Sequence, residues 1–430
     1  MGRKPLHVRI LYGLALGALA GVAANLLAAR LPGAAERVDA LVRYVTVPAG
    51  QVFLRLLFMT VVPLVLSTLA VGVAKLGDTK RIGRIGLKTL LIFLGTTAAG
   101  VVTGLVLVNL VRPGDGFDPA VQQRLLDEYR GTLTETAKGF SARDATVGDL
   151  LVRIIPRNPF AAMVEGDMLA VIFFALVLGI ALTRVKPDKA RPVLSFLESL
   201  SEVMITLVGF IMKLAPLAVP ALIFSVTARF GLPVLQKLSV YVATVFAGYV
   251  LFQFGFFGLV ARFGARVSPV RFFRKITVVM VTAFSTSSSN ATLPTTLKVT
   301  EEELGVSPDL AGFVLPLGAT LNMNGTALYE GVTVLFLAQV FGITLTLGQQ
   351  ALVVLLAVLM AVGTAGVPGA SLPMIMMVLS TVGVPPDAIA MILGVDRLLD
   401  MGRTVLNVTG DITATLWVAR MEGREGRLPG

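Results

Sequence analysis

The stretch from Ala388 to Arg420 reads AIAMILGVDRLLDMGRTVLNVTGDITATLWVAR. As one helix it is long enough to cross a bilayer, yet it holds Asp396, Arg397, Asp400, Arg403 and Asp411. A charge at the centre of a bilayer is costly, so ionisable residues in such a segment point to function by default. Asp400, Arg403 with Thr404, Asn407 and Asp411 follow one another at steps of three or four, which places them on one helical face. That face offers a cation for a carboxylate, an anion for an amino group, and oxygens for a metal ion. The other use of the same residues is a set of mutually satisfied ion pairs that lock a helix bundle.

The rest of the chain supplies the membrane. Of 430 residues, 55% are apolar and 15% charged, which a soluble domain cannot accommodate in such long uncharged runs. Spans are predicted at Ile10 to Ala29, Tyr44 to Ala74, Thr89 to Val111, Met168 to Thr183, Val203 to Ala228 and Leu238 to Ala261. The fourth is short, so it is expected to be broken, with Leu150 to Ile155 as an approach segment before Pro156 and Pro159. Arg112 to Asp149 is mixed and turn-rich, the pattern of a solvent loop. The first run is too long for a signal core, so no cleavable leader is expected.

The formal charge of +11 comes from 37 basic and 26 acidic residues, and its placement argues against nucleic acid as the partner. Basic residues cluster before the first span (Arg3, Lys4, Arg9), after the second (Lys75, Lys80, Arg81, Arg84, Lys88), after the fourth (Arg184, Lys186, Lys189, Arg191) and after the sixth (Arg262, Arg266, Arg271, Arg274, Lys275). Every second loop is basic, so these loops and the N-terminus are expected in the cytoplasm. Arg420, Arg424 and Arg427 put the C-terminus there too, which requires an even number of full spans. The chain has no cysteine, and therefore no disulfide or thiolate metal site.

Beyond Lys275 the pattern changes. Ile276 to Leu297 is uncharged, but its centre, AFSTSSSNATLP, carries six consecutive polar residues before Pro294. This suits a broken helix whose freed amides face a cavity; hydrogen bonding between helices through small residues is the alternative. Leu310 to Leu347 is apolar except for Glu330 and contains Asn322-Met323-Asn324-Gly325-Thr326. Gly348 to Pro386 is uncharged, too long for one span and too short for two, and its middle, GTAGVPGASLP, suits a re-entrant hairpin turning at Gly366 to Gly369. The halves echo each other: Ala291-Thr292-Leu293-Pro294 with Ala370-Ser371-Leu372-Pro373, and Asn322-Met323-Asn324-Gly325 with Asn407-Val408-Thr409-Gly410. Paired interrupted segments of this kind point to a transporter site at the interface of inverted repeats. A small acidic amino acid fits there: its distal carboxylate on the planar fork of Arg403, its ammonium on Asp400, and its α-carboxylate on the serine run and Asn407.

From Ala283 to Arg420 the motifs SSSNATLP, LPLGATLNMNGTALYEG, GTAGVPGA and LDMGRTVLNVTGD resemble the glutamate/aspartate transporter family, the dicarboxylate/amino acid:cation symporters. The hydropathy of the earlier chain matches as well. The resemblance implies an all-α polytopic membrane protein with eight transmembrane helices and two re-entrant helical hairpins in inverted repeats, assembled as an elevator-type homotrimer. It implies a scaffold at 1–84 and 150–229, and a mobile transport domain at 85–111 and 230–420. An external loop at 112–149 and a cytoplasmic tail at 421–430 complete the division, and the second hairpin is the outer gate. Substrate-binding residues carried over are Ser287, Ser288, Ser289, Thr326, Val367, Pro368, Gly369, Asp400, Arg403, Thr404 and Asn407. Gly318, Asn322, Asn407 and Asp411 are implied for one sodium ion, and Thr320, Ala361, Val362 and Thr364 for a second. Sodium, and with it protons, enter as co-transported ligands; no resident cofactor is implied.

Three departures from the family pattern bear on coupling. A third sodium site of the archaeal members falls on Phe93, Thr96, Thr97 and Asn324, where a phenol oxygen and a carboxylate are missing, so that site is expected to be weak or absent. Glu330 stands where animal members carry a proton-bearing glutamate, in the string GTALYE, and a carboxylate is costly to keep ionised in an apolar span; a permanent hydrogen bond to the unwound segment is its alternative role. Ser287 and Met401 occupy the two places where members carry an additional arginine, and Arg397, three residues before Asp400, is the one nearby substitute. His7, the only histidine, lies in the N-terminal tail and offers no proton relay.

The expected function is a plasma-membrane symporter of glutamate or aspartate, with a C4-dicarboxylate or neutral amino acid carrier as the alternative and an anion leak as a secondary property. A channel would need a continuous polar pore. Neither HExxH, GxSxG nor GxxxxGK[ST] occurs, which removes the support for an intramembrane hydrolase or an ATP-driven pump.

Overall fold

The computed structural model describes residues 6–77, 83–116, 155–165, 168–364, 366 and 369–423. Among the described residues all regular structure is helical apart from one isolated bridge residue, Val306. In chain order the helices are α1 (Leu6–Arg30), α2 (Ala34–Leu41), α3 (Val47–Gly77), α4 (Gly83–Val111), α5 (Pro159–Glu165), α6 (Met168–Arg184), α7 (Pro187–Met212), α8 (Ala215–Phe230) and α9 (Leu232–Val250). They continue with α10 (Pro269–Thr286), α11 (Ser289–Glu302), α12 (Pro308–Leu321), α13 (Asn324–Val340), α14 (Leu347–Gly363), α15 (Leu372–Thr381) and α16 (Leu393–Met421). A π-helical stretch, Val42–Thr46, joins α2 to α3, and α9 runs on to Gly264 through two more, Leu251–Phe256 and Val260–Gly264.

Among the described residues, five helical stretches are long and apolar enough to cross a membrane: Val8–Arg30, Ala34–Ala74, Ile85–Val111, Pro187–Met212 and Leu232–Gly264. Their outward faces carry Leu16, Leu19, Met59, Leu110 and Val240, all exposed. So much outward apolar surface is what a lipid-facing wall requires. The interior is the reverse. Every residue of α13 except Gln339 is buried, and α16 is buried along most of its length, including Asp396, Arg397, Asp400, Arg403 and Asp411.

Small residues let helices approach the centre closely. α4 packs along α13, and a Cβ on Gly100 or Gly104 would lie 2.8 Å from the carbonyl oxygen of Asn324 or 2.6 Å from that of Leu328. Any larger residue there would push α13 away, so α4 brings Thr96 and Thr97 within hydrogen-bond reach of Asn324. α1 packs on α8, and α3 on α6 and α7, to form the surrounding wall.

The polar centres seen in the sequence are breaks in helices. α10 ends at Ser287 in the left-handed region at φ 51°, and α11 restarts at Ser289 with Ser288 as its cap, its hydroxyl accepting from the Ala291 N–H at 3.2 Å. α12 ends at Asn322 (φ −114°, ψ 71°) and α13 restarts at Asn324. α14 and α15 flank the Gly/Pro stretch between Gly363 and Leu372. Two expectations need correction. The segment Val203 to Ala228 is not one helix: α7 begins at Pro187 and stops at Met212, and α8 begins at Ala215. Pro216 sits in the first turn of α8, where a missing N–H costs nothing, and this makes it a helix start. The last helix begins at Leu393, because Pro386–Met391 forms a 3₁₀ turn. The approach segment falls mostly, and the predicted loop to Asp149 beyond Gly116, outside the described residues.

Candidate functional site

α16 carries the charges, and three helix breaks close around them. Ser287, Ser289, Met323, Thr326, Thr364, Gly366, Ser371, Asp400, Arg403, Thr404 and Asn407 line one small cavity of about 10 Å³. Arg403 donates from Nε to Asp400 Oδ1 at 3.1 Å, from Nη2 to the same oxygen, and from Nη1 to the Ser371 hydroxyl. Asp400 Oδ2 accepts from Arg397 Nη1 at 3.2 Å. Behind the guanidinium, the Tyr329 ring lies 4.9 Å from its central carbon. The Tyr329 hydroxyl donates to Asp396 Oδ1 at 2.9 Å, and that oxygen is 4.0 Å from Arg403 Nη1. Arg403 is thus held from the side by a carboxylate and from below by an aromatic face.

Around this ion pair stand neutral groups suited to an anion. The Ser287 hydroxyl is buried and has no hydrogen-bond partner among the described residues. A buried hydroxyl left unpaired is costly, and such costs concentrate where a ligand supplies the partner. Ser289, the first residue of α11, lines the same space, so the positive end of that helix lies at the cavity wall. The Ser288 hydroxyl and the Asn290 N–H both donate to the Gly366 carbonyl, at 2.7 and 3.3 Å, and so join the two interrupted segments.

Asn407 organises the opposite wall. Its Oδ1 accepts from the N–H groups of Gly325 and Thr326 at 2.7 and 3.3 Å, capping the start of α13. Its Nδ2 donates to Thr326 Oγ1 at 3.2 Å and reaches Met323 Sδ at 3.2 Å. The Thr404 hydroxyl donates to the Asp400 carbonyl at 2.8 Å, and the residue lines the cavity.

Three oxygen-rich places lie beside this cavity. In the first, Asn322 Nδ2 donates to Asp411 Oδ1 at 2.9 Å, and the Gly318 α-carbon leaves so little room that a Cβ would sit 2.6 Å from that oxygen. In the second, Thr320, Val362 and Thr364 border a common cavity, next to buried Ala361. In the third, Asn324 Oδ1 accepts from Thr97 and Thr96 hydroxyls at 2.7 and 3.2 Å, and Thr96 Oγ1 is 3.4 Å from Asn322 Oδ1. Buried Phe93 belongs to the same turn of α4 and brings no oxygen. Among the described residues no three His, Cys, Asp or Glu side chains gather as for a transition metal. Hydroxyls, amide oxygens and a single carboxylate are oxygen donors of the kind a hard cation takes.

Glu330, fully buried on α13, has no hydrogen-bond partner for either carboxylate oxygen among the described residues. Among the described residues, then, no hydrogen bond ties Glu330 to the unwound segment.

Of the residues singled out in the sequence, Ser287, Ser289, Thr326, Asp400, Arg403, Thr404 and Asn407 meet in the cavity. Ser288 and Gly369 do not line it: Ser288 braces Gly366, and Gly369 faces Met212 at φ 78°. Val367 and Pro368 lie outside the described residues. Ser371, Gly366 and Met323 line the cavity without having been singled out, and Thr364, expected at a cation, lines it as well. Ser371 lies in the ASLP echo, a signal that could have found it; no residue signal distinguishes Met323 from its apolar neighbours.

Comparison with known proteins places nearly the whole chain in one family. The family model described as the sodium:dicarboxylate symporter family matches residues 6–421. The proton/sodium-glutamate symport protein of Bacillus subtilis (strain 168) is 36% identical over 377 residues, 87% of this chain and 86% of that protein. The proton/glutamate-aspartate symporter of Escherichia coli (strain K12) is 35% identical over 420 residues, 97% and 93% of the two chains. C4-dicarboxylate transport protein 2 of Mesorhizobium japonicum is 35% identical over 425 residues, 98% and 91%.

Proposed function

We propose, since the chain belongs to the sodium:dicarboxylate symporter family, that it is a secondary active symporter of acidic amino acids, glutamate or aspartate. The observation that carries this is the buried Asp400–Arg403 pair at the centre of the cavity. Arg403 presents a planar fork to a side-chain carboxylate, and Asp400 presents an anion to an ammonium one turn away. Ser287, Ser289 and the start of α11 take the α-carboxylate, with Thr326, Thr404 and Asn407 completing the pocket. The names of the Bacillus and Escherichia relatives support this reading, and that of the Mesorhizobium relative supports the second one, a C4-dicarboxylate carrier. Asp400 favours the first: a dicarboxylate without an amine would leave this buried carboxylate facing another anion.

The coupling ions are sodium, protons or both. Gly318, Asn322, Asn407 and Asp411 hold one sodium ion. Thr320, Ala361, Val362 and Thr364 hold a second, and the Thr96, Thr97 and Asn324 place is too poor in charge to hold a third. Glu330 carries the proton, a role consistent with a carboxyl that has no hydrogen-bond partner among the described residues. The chain is a carrier, not an enzyme, and it sits in the plasma membrane with both termini in the cytoplasm. It works as a homotrimer in which 85–111 and 230–420 move as an elevator against 1–84 and 150–229, while the α14–α15 segment gates the outside. The cavity is too small for an amino acid as it stands, so on this reading its lining opens for the substrate to enter.

The test is uptake of radiolabelled aspartate, glutamate and succinate into proteoliposomes, with sodium and proton gradients imposed separately. Saturable uptake of aspartate or glutamate, resisted by succinate, is expected. Succinate uptake that no amino acid inhibits would replace this reading by the second.

A further inference from the structure

Asp400 is shared by two arginines. Arg403 ends two of its donors on Oδ1, and Arg397, one turn earlier on α16, donates to Oδ2 from Nη1 at 3.2 Å. Arg397 is not a surface cation whose pairing is incidental: its side chain is 11% exposed, and its Nε has no hydrogen-bond partner among the described residues. Asp400 is the one acidic group it pairs with among them. A guanidinium buried against a single carboxylate oxygen, with a donor to spare, costs more than it returns as a structural pair.

The bonds of Arg403 show what such a residue does. Nε and one Nη2 hydrogen are committed to Asp400 and one Nη1 hydrogen to Ser371, so a substrate carboxylate gains the paired Nε–Nη2 edge of the fork only if Arg403 releases Asp400. Releasing a buried carboxylate with no second partner would leave an uncompensated charge, and the exchange would stall. Arg397 approaches the other oxygen and is untouched by the exchange. We infer that Arg397 is a positioning residue, which keeps Asp400 fixed as the ammonium acceptor while Arg403 trades Asp400 for the side-chain carboxylate of the substrate. This rests on the acidic amino acid reading above.

The experiment compares the unchanged protein with Arg397→Met, which keeps the apolar stem, and Arg397→Lys, in proteoliposomes at matched protein content, reading KM and maximal rate for aspartate. Arg397→Met is expected to raise KM about tenfold, the size of one charge-assisted hydrogen bond, with the maximal rate kept. Arg397→Lys is expected to recover part of that loss. An unchanged KM in Arg397→Met overturns the inference, as does a fall in maximal rate alone, which a merely structural residue would give. If Arg397→Met does not assemble, Arg397→Gln takes its place under the same criteria. Absence of acidic amino acid uptake by the unchanged protein would remove the functional reading itself. Normal uptake with an indifferent Arg397 would remove only this inference.

Discussion

At Asn324 one atom separates two electrostatic situations. The amide oxygen accepts two hydroxyl donors, from Thr97 at 2.7 Å and Thr96 at 3.2 Å, while Nδ2 has no acceptor among the described residues and lies against Gly410. Asn324→Asp replaces that idle donor by an oxygen and adds a full charge. Two hydroxyls do not compensate a buried carboxylate, and an uncompensated buried charge destabilises by about 3–5 kcal/mol. A sodium ion between the new carboxylate, the two threonine oxygens and Asn322 Oδ1 offsets that cost. By mass action, sodium at about a hundred times its dissociation constant returns about 2.7 kcal/mol. The assay is thermal melting of the purified protein across a sodium titration, with choline keeping ionic strength constant. Asn324→Asp is expected to melt below the unchanged protein in choline and to gain more from sodium. Adding Thr97→Ala should cancel that gain. A sodium dependence identical to that of the unchanged protein would refute the reasoning.

Two other substitutions probe the coupling ions. In Gly318→Ala the new methyl falls 2.6 Å from the Asp411 oxygen that accepts from Asn322. This strain, about 1–3 kcal/mol, should raise the sodium concentration needed for half-maximal aspartate uptake about tenfold or more. In Glu330→Gln, uptake driven by a proton gradient alone should disappear while sodium-driven uptake remains, measured in the same vesicles; retention of proton-driven uptake would return Glu330 to a structural role.

The breaks in the helices were readable because they break a rule that the rest of the chain keeps. Six polar residues at 285–290, the pair Asn322 and Asn324, and the Gly/Pro run before Ser371 are expensive in lipid, so each announced a helix end facing a cavity. The charged face of α16 was readable for the same reason. The interruption between Met212 and Ala215 was not, because Val203 to Ala228 is apolar enough to read as one span and Pro216 marks a helix start only once the chain is folded. Tyr329 was equally silent: a tyrosine in an apolar helix says nothing until Asp396 is found at its hydroxyl and Arg403 over its ring. Arg397 could be suspected from its spacing to Asp400, but its burial and its idle Nε are facts of packing alone. The distance between Asn324 and Thr97 depends on Gly100 and Gly104, residues whose importance comes from a neighbouring helix rather than from their own segment.

The most direct test of the site is aspartate uptake by Arg403→Ser against the unchanged protein, with serine as a neutral amino acid probe in the same vesicles. Loss of a buried, multiply bonded guanidinium should lower acidic substrate uptake about a hundredfold, to background, while leaving Asp400 to accept an ammonium. Aspartate uptake by Arg403→Ser with an unchanged KM would contradict the claim that this pair reads an acidic amino acid.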